Sequence, residues 1–333
     1  MITYKNKVWK DEMSIRLDVN HVMAKFMGEE HGVFDGEIES LRPEARDIHH
    51  QIKEKRDRGD RPFMDLPNQN VSDILEMAKG IRRWCDYFVV LGIGGSALGN
   101  IALHEALQHP YYNELSKTGR HRAPRIYVLD NVDPDRLAAL MDILDLKKTC
   151  FNVITKSGGT AETMANFLVC QEALIKAVGR EKHADHIVVT TDKAKGNLRR
   201  VAEREGYRSL VIPDGVGGRF SVMTPVGILS AAVSGINVRE LLAGASFMER
   251  RCHKVRIWEN PAYMNAVIHF ILDTKRKKHI SVMMPYAHTL RGFADWYRQL
   301  WAESLGKRSS LDGHDVHAGQ TPVNALGATD QHS

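Results

Sequence analysis

The sequence predicts a doubly wound α/β fold around a five-stranded parallel sheet, and three observations predict it. Short apolar runs alternate with helical patterns between residues 87 and 212. Those runs, YFVVL and FNVI among them, are apolar without alternation, as in strands buried on both faces. Two of them lead directly into Gly/Ser loops, GIGGSALG at 92–99 and TKSGGTAET at 155–163, each opening a helical pattern.

In chain order, residues 1–60 read as a charged, helical N-terminal arm. His49 and His50 are adjacent and so do not share one helix face, which makes them surface residues rather than a metal pair. Pro62 and Pro67 mark the entry into a compact domain, 61–245, whose first helix is 72–84. Strands follow at 87–91, 125–129, 151–154, 186–190 and 209–212, separated by helices from Ser96 and at 135–144, 160–177 and 197–205. From about residue 246 come a strand at 279–284, a helix at 291–305 and a loop region to Ser333.

Parallel sheets of this kind bind ligands beyond the carboxyl ends of their strands, so the loops after the first and third strands face one ligand from two sides. In the second loop, Gly158 and Gly159 allow a tight turn with exposed N–H groups, while Thr155, Ser157 and Thr160 add hydroxyls. The helix starting near Thr160 adds its partial positive charge. Lys156 either neutralises the anion or points to solvent. An ordinary capped turn could use the same residues, and the density of donors favours an anion cradle.

The first loop, with Ser96, also imitates a dinucleotide fingerprint as Gly92-x-Gly94-x-x-Ala97. The acidic residue expected about 20 positions on is not there: the chain offers PYYNE at 110–114, and the next strand ends only at Asp130. Farther on, DGVGGRFSVMTPVGILSAAVSG brings Gly217, Gly218 and Arg219 to the start of an apolar helix. There the guanidinium serves a ligand or pairs with a structural carboxylate.

Composition sets outer bounds. With 333 residues, 43% of them hydrophobic, the chain can bury a sizeable core. It has no run approaching the length of a membrane span and no signal-peptide pattern at its start, so a cytoplasmic protein with no membrane partner is expected. Cys85, Cys150, Cys170 and Cys252 lack metal-ligand spacing and read as reduced structural thiols. A net charge of +5, from 46 basic and 41 acidic residues, is too mild for nucleic acid and suits a small acidic ligand.

GIGGSALG, TKSGGTAET and, above all, GVGGRFSVMTPVGILSAAVSG resemble the motifs of the phosphoglucose isomerase family, as do QLWAES at 299–304 and GQTPVNALGATDQHS at 319–333. The Gly/Ser loops belong to the wider sugar-isomerase (SIS) domain group, whereas GGRFS and GATDQHS point to this family. The resemblance implies a glycolytic and gluconeogenic aldose–ketose isomerase acting through an enediol, with no metal or cofactor. By resemblance Glu303 is the base, Arg219 stabilises the enediolate, and Gln299, one helical turn earlier, contacts substrate beside Gly218. Ser96, Thr155, Lys156, Ser157 and Thr160 match positions around the substrate, most of them at its phosphate. His332 matches a ring-opening histidine supplied by the neighbouring subunit, which implies a homodimer.

The resemblance divides the chain into the arm, a first SIS domain at 61–245 and a partial second SIS domain at 246–333. Family members continue beyond the position of Ser333 to a helix bearing an active-site glutamine and lysine. The expectation is therefore a truncated second domain with uncovered apolar strand edges and weak turnover by this chain alone. Two alternatives have a place beside it: an isomerase that also accepts mannose 6-phosphate, and an SIS module that binds sugar phosphate without turning it over.

Overall fold

The computed structural model describes residues 7–8 and 14–332. The parts of the expected arm at 1–6 and 9–13, and Ser333 at the end of the last motif, lie outside them. The elements run α1 (Asp35–Ser40), α2 (Arg42–Asp57), α3 (Ser72–Arg82), β1 (Tyr87–Leu91), α4 (Leu98–Leu107), β2 (Arg125–Leu129) and α5 (Pro134–Ile143). They continue with β3 (Thr149–Ile154), α6 (Ala161–Val178), β4 (Ile187–Thr191), α7 (Asn197–Glu205), β5 (Arg208–Val211), α8 (Pro225–Ser234) and α9 (Val238–Cys252). Then follow α10 (Pro261–Thr274), β6 (Ile280–Met283), α11 (Arg291–Leu305), β7 (Lys307–Ser309), β8 (Asp315–Ala318) and β9 (Thr321–Asn324). No helix among the described residues is long and apolar enough to cross a membrane.

The chain forms two compact units assembled from discontinuous segments, whereas the domains expected from the sequence are contiguous. The larger comprises residues 70–238, 282–304 and 323–333. Its five-stranded sheet has the order β2-β1-β3-β4-β5 with all neighbours parallel. Every residue of β3 and β4 is buried, which is why these strands read as apolar runs without alternation, with Asn152 and Thr190 buried among them. From β1 the chain crosses to β2 on one side and then returns past β1 to β3 on the other. The strand order thus reverses between β1 and β3, and the loops leaving them diverge to open a crevice. The register sets Leu91 level with both Leu129 and Val153, and Thr191 level with Val211, so the loops leave along one edge.

One face of the sheet is packed by Val89, Leu91, Phe151, Val153 and Val189 against Leu137, Leu140, Phe167, Leu174 and Leu198 of α5, α6 and α7. Another part of the unit is organised by α8, which packs against α3 and α4 and has all ten residues buried. That helix starts cleanly because the Thr224 side chain accepts the Val226 N–H at 3.2 Å and Pro225 takes its first position.

The smaller unit comprises residues 1–69, 239–281 and 305–322. Val33, Ile38 and Ala45 from the arm side join Ile257, Met264, Val267, Ile268 and Ile271 in one apolar cluster. At its margin Glu37 meets Arg276 at 2.7 Å and Lys275 at 3.4 Å. Burial pushes its carboxyl up, but Arg276, the Phe34 N–H and Lys275 together hold it below the usual carboxylate range. The arm, read from the sequence as charged and helical, therefore contributes part of a shared apolar core. Within the smaller unit Ile280 is exposed.

Candidate active site

The loops leaving β1, β3 and β4, together with Gly218 beyond β5, line a cavity of about 600 Å³ within the larger unit. Backbone packing fixes its walls. A Cβ on Gly95 would lie 2.7 Å from the Cα of Gly218 and closer still to its carbonyl group, so only glycine lets these two loops touch. Ser221, 2% exposed, clamps the pair: its hydroxyl donates to Gly218 O at 2.7 Å and reaches Gly95 O at 3.2 Å. Gly196, at φ +93°, seats the β4 loop on the β3 loop, where a Cβ would come within 2.8 Å of the Ser157 carbonyl carbon.

Ser96, Thr155, Lys156, Ser157 and Thr160 all line this cavity. The helix N-terminus is where the sequence puts it, with Thr160 in the capping position of α6. Two details differ from expectation. The N–H groups of Gly158 and Gly159 are not open: they donate to Thr155 Oγ1 at 3.2 Å and Ser157 Oγ at 3.1 Å. Short hydroxyl side chains compete for nearby backbone donors, and here they do so within the loop. Thr160 caps no backbone N–H with its side chain; its Oγ1 lies 3.0 Å from that of Thr155. Lys156 does not project into solvent, since its ammonium is turned inward, 3.4 Å from Val216 O.

Sequence reasoning missed the wall made by Asp192, Lys195 and Gly196. The Asp192 carboxylate accepts the N–H groups of Ala194 and Lys195 at 2.9 Å each, which holds it below the usual carboxylate range and shapes the turn. Its place just after the fourth strand, at the same edge as the two recognised loops, was the available signal. The dinucleotide reading finds no support here: the Gly95 backbone is occupied by Gly218, and Asp130 is paired with Arg136.

From Gly218 the site continues to a second cluster. Arg219 Nε donates to Ser304 Oγ at 2.9 Å, its Nη1 stands 3.5 Å from Glu303 Oε2, and its guanidinium carbon lies 4.7 Å from the centre of the Phe220 ring. Gln299 Nε2 donates to Glu303 Oε1 at 2.8 Å, one turn away on α11. It also sits against the β1 loop, where a Cβ on Gly94 would be 3.1 Å from it. The other amide atom, Gln299 Oε1, is buried without a hydrogen-bond partner. A half-exposed carboxylate and a fixed cation beside a cavity lined by hydroxyls and a lysine can in chemical type remove a proton from carbon and hold the charge that results.

His332 stands apart. It is exposed after the 3-10 turn Thr329–Gln331, its N–H bonds Thr329 O at 3.2 Å, and no described contact joins it to Arg219 or Glu303.

Comparison with known proteins shows the family. The family model described as phosphoglucose isomerase matches residues 79–333. Glucose-6-phosphate isomerase of Carboxydothermus hydrogenoformans is 47% identical over 324 residues, 96% of this chain and 69% of that protein. The Rubrobacter xylanophilus enzyme of the same name is 43% identical over 320 residues, covering 95% of this chain and 70% of that protein. Among solved structures, a hypothetical protein from Thermus thermophilus aligns with a TM-score of 0.76 at 36% identity, covering 89% of this chain and 67% of that one. A glucose-6-phosphate isomerase from Chlamydia trachomatis aligns at 0.67 with 25% identity, covering 78% and 48%. The chain belongs to the phosphoglucose isomerase family.

Proposed function

We propose that this chain interconverts glucose 6-phosphate and fructose 6-phosphate, an aldose–ketose isomerisation at an entry to glycolysis and gluconeogenesis. The observation that carries the proposal is the Glu303–Arg219 pair held next to a multi-donor anion cradle in one unit. In this reading the phosphate occupies the cavity between the β1, β3 and β4 loops, with Ser96, Lys156, Ser157 and Thr160 toward it. Thr155, 3% exposed, keeps the loop in shape.

The Glu303 carboxylate takes the proton from C2 of the open-chain aldose. The C2–H electron pair becomes the C1–C2 double bond, and the C1 carbonyl oxygen takes up negative charge facing Arg219. Glu303 returns the proton to C1 while the C2 hydroxyl gives its proton to the C1 oxygen, so that C2 becomes the ketone and C1 carries the hydroxyl. The orphaned Gln299 Oε1 is suited to accept a hydrogen bond from a sugar hydroxyl. We assign ring opening to His332 of a neighbouring copy, so a homodimer belongs to the proposal, as does a cytoplasmic setting. Sedimentation finding only monomers at assay concentration would remove that role.

The test is a coupled assay of glucose 6-phosphate formation from fructose 6-phosphate, run beside a calorimetric titration with inorganic phosphate. Binding together with turnover is expected, even if turnover is weak. Phosphate binding with no turnover at any enzyme concentration would favour a sugar-phosphate binding module instead.

A further inference from the structure

Arg219 is held by more than its neighbouring carboxylate. Its Nε–H is committed to Ser304 Oγ at 2.9 Å, and its guanidinium lies over the Phe220 ring at 4.7 Å. The first contact fixes the direction of the side chain and the second restrains the plane of the fork. What remains is the Nη edge, of which Nη1 stands 3.5 Å from Glu303 Oε2. A closed guanidinium–carboxylate bond is about 2.7–2.9 Å, so this ion pair is open. An open pair matters here because the two groups have separate tasks, one to take a proton and the other to hold an enediolate oxygen.

Resting on the isomerase reading above, we propose that Ser304 is a positioning residue that keeps Arg219 aimed at the substrate and prevents it from closing onto Glu303. The residue next to Glu303 is well placed for this. With the Ser304 hydroxyl removed, the Nε–Nη edge is released beside a carboxylate whose geometry it matches in two-point fashion. Closure would engage the base and withdraw the cation in one movement. The phosphate cradle, built from other loops, would be untouched.

The experiment compares the full chain with Ser304→Ala and Ser304→Thr. One probe is inorganic phosphate. A second is a five-carbon aldonic acid 5-phosphate, whose carboxylate stands where the enediolate oxygens form. Steady-state kinetics with fructose 6-phosphate supply the third readout. Because small displacements of catalytic groups can cost up to about 100-fold, Ser304→Ala is expected to bind the aldonate phosphate at least ~10-fold more weakly and to lower kcat by ~10–100-fold. KM and the affinity for inorganic phosphate should stay within about threefold, and Ser304→Thr should restore both losses.

Wild-type aldonate affinity and kcat in Ser304→Ala would overturn the inference. So would a parallel loss of inorganic phosphate binding, which would mark general damage. If the unmodified chain binds the aldonate phosphate no more tightly than inorganic phosphate, the isomerase reading itself falls and takes this inference with it.

Discussion

Glu303→Gln is expected to lower isomerisation by about 10³-fold, within the 10²–10⁴ range of a general base, while leaving sugar-phosphate affinity within about threefold. The substitution is nearly isosteric, and its amide oxygen still suits the hydrogen bond from Gln299 Nε2, 2.8 Å away in the native protein. What it removes is the lone pair able to take a proton from carbon, together with the charge facing Arg219 across 3.5 Å. The coupled assay reads the first property and calorimetry the second. Unchanged turnover would move the base elsewhere. Loss of binding in step with rate would make Glu303 a ligand for the sugar rather than its base.

Gly95→Ala carries the second large effect, and it acts through the backbone. The new methyl group would stand 2.7 Å from Gly218 Cα, with the Gly218 carbonyl group nearer still, and no flexible side chain is there to yield. The β1 loop and the GGRF loop must separate, which breaks the Ser221 bridge to both and shifts Arg219, the residue after Gly218. Overpacking of this kind costs about 1–3 kcal/mol, and the strain falls on the wall of the cavity. Inorganic phosphate affinity should fall at least ~10-fold and kcat further, since misplacing the cation by about 1 Å costs up to 100-fold. A Gly36→Ala control should leave both unchanged, because nothing lies within 4 Å of that position and it is in the smaller unit. If Gly95→Ala behaves like that control, the two loops do not meet as described.

The sheet was legible because β1, β3 and β4 are buried on both faces and leave apolar runs without alternation, a one-dimensional signal. Strand ends moved by a residue or so, as in β4, expected at 186–190 and found at Ile187–Thr191. That Ser96, Thr155, Lys156, Ser157 and Thr160 line one cavity was legible from the two Gly/Ser loops, and Arg219 stood out as a cation after two glycines, whereas Glu303 was found only by resemblance, since a carboxylate on a solvated helix carries no mark of chemistry in its own segment.

What stayed hidden depends on pairs far apart in sequence. The seating of Gly196 on Ser157, the close approach of Gly95 and Gly218, and the bond from Arg219 to Ser304 are tertiary facts that no periodicity encodes. The N–H groups of Gly158 and Gly159 were misjudged for a local reason, because hydroxyls chosen as ligand donors can serve their own backbone first. The smaller unit was invisible for a related one. Its apolar residues lie on the arm and on α10, and neither segment has a full core by itself.

The most direct test of the account is isotopic. Fructose 6-phosphate is incubated with the chain in heavy water until glucose 6-phosphate has accumulated, over hours if turnover is slow, and the product is read by proton NMR at C2. A carboxylate that takes a proton from C1 and returns one to C2 can exchange it with solvent in between, so deuterium is expected at C2 in at least part of the product, and its appearance should depend on Glu303. Glucose 6-phosphate formed with only protium at C2, at a rate that Glu303→Gln leaves unchanged, would contradict the enediol mechanism built on Glu303 and Arg219.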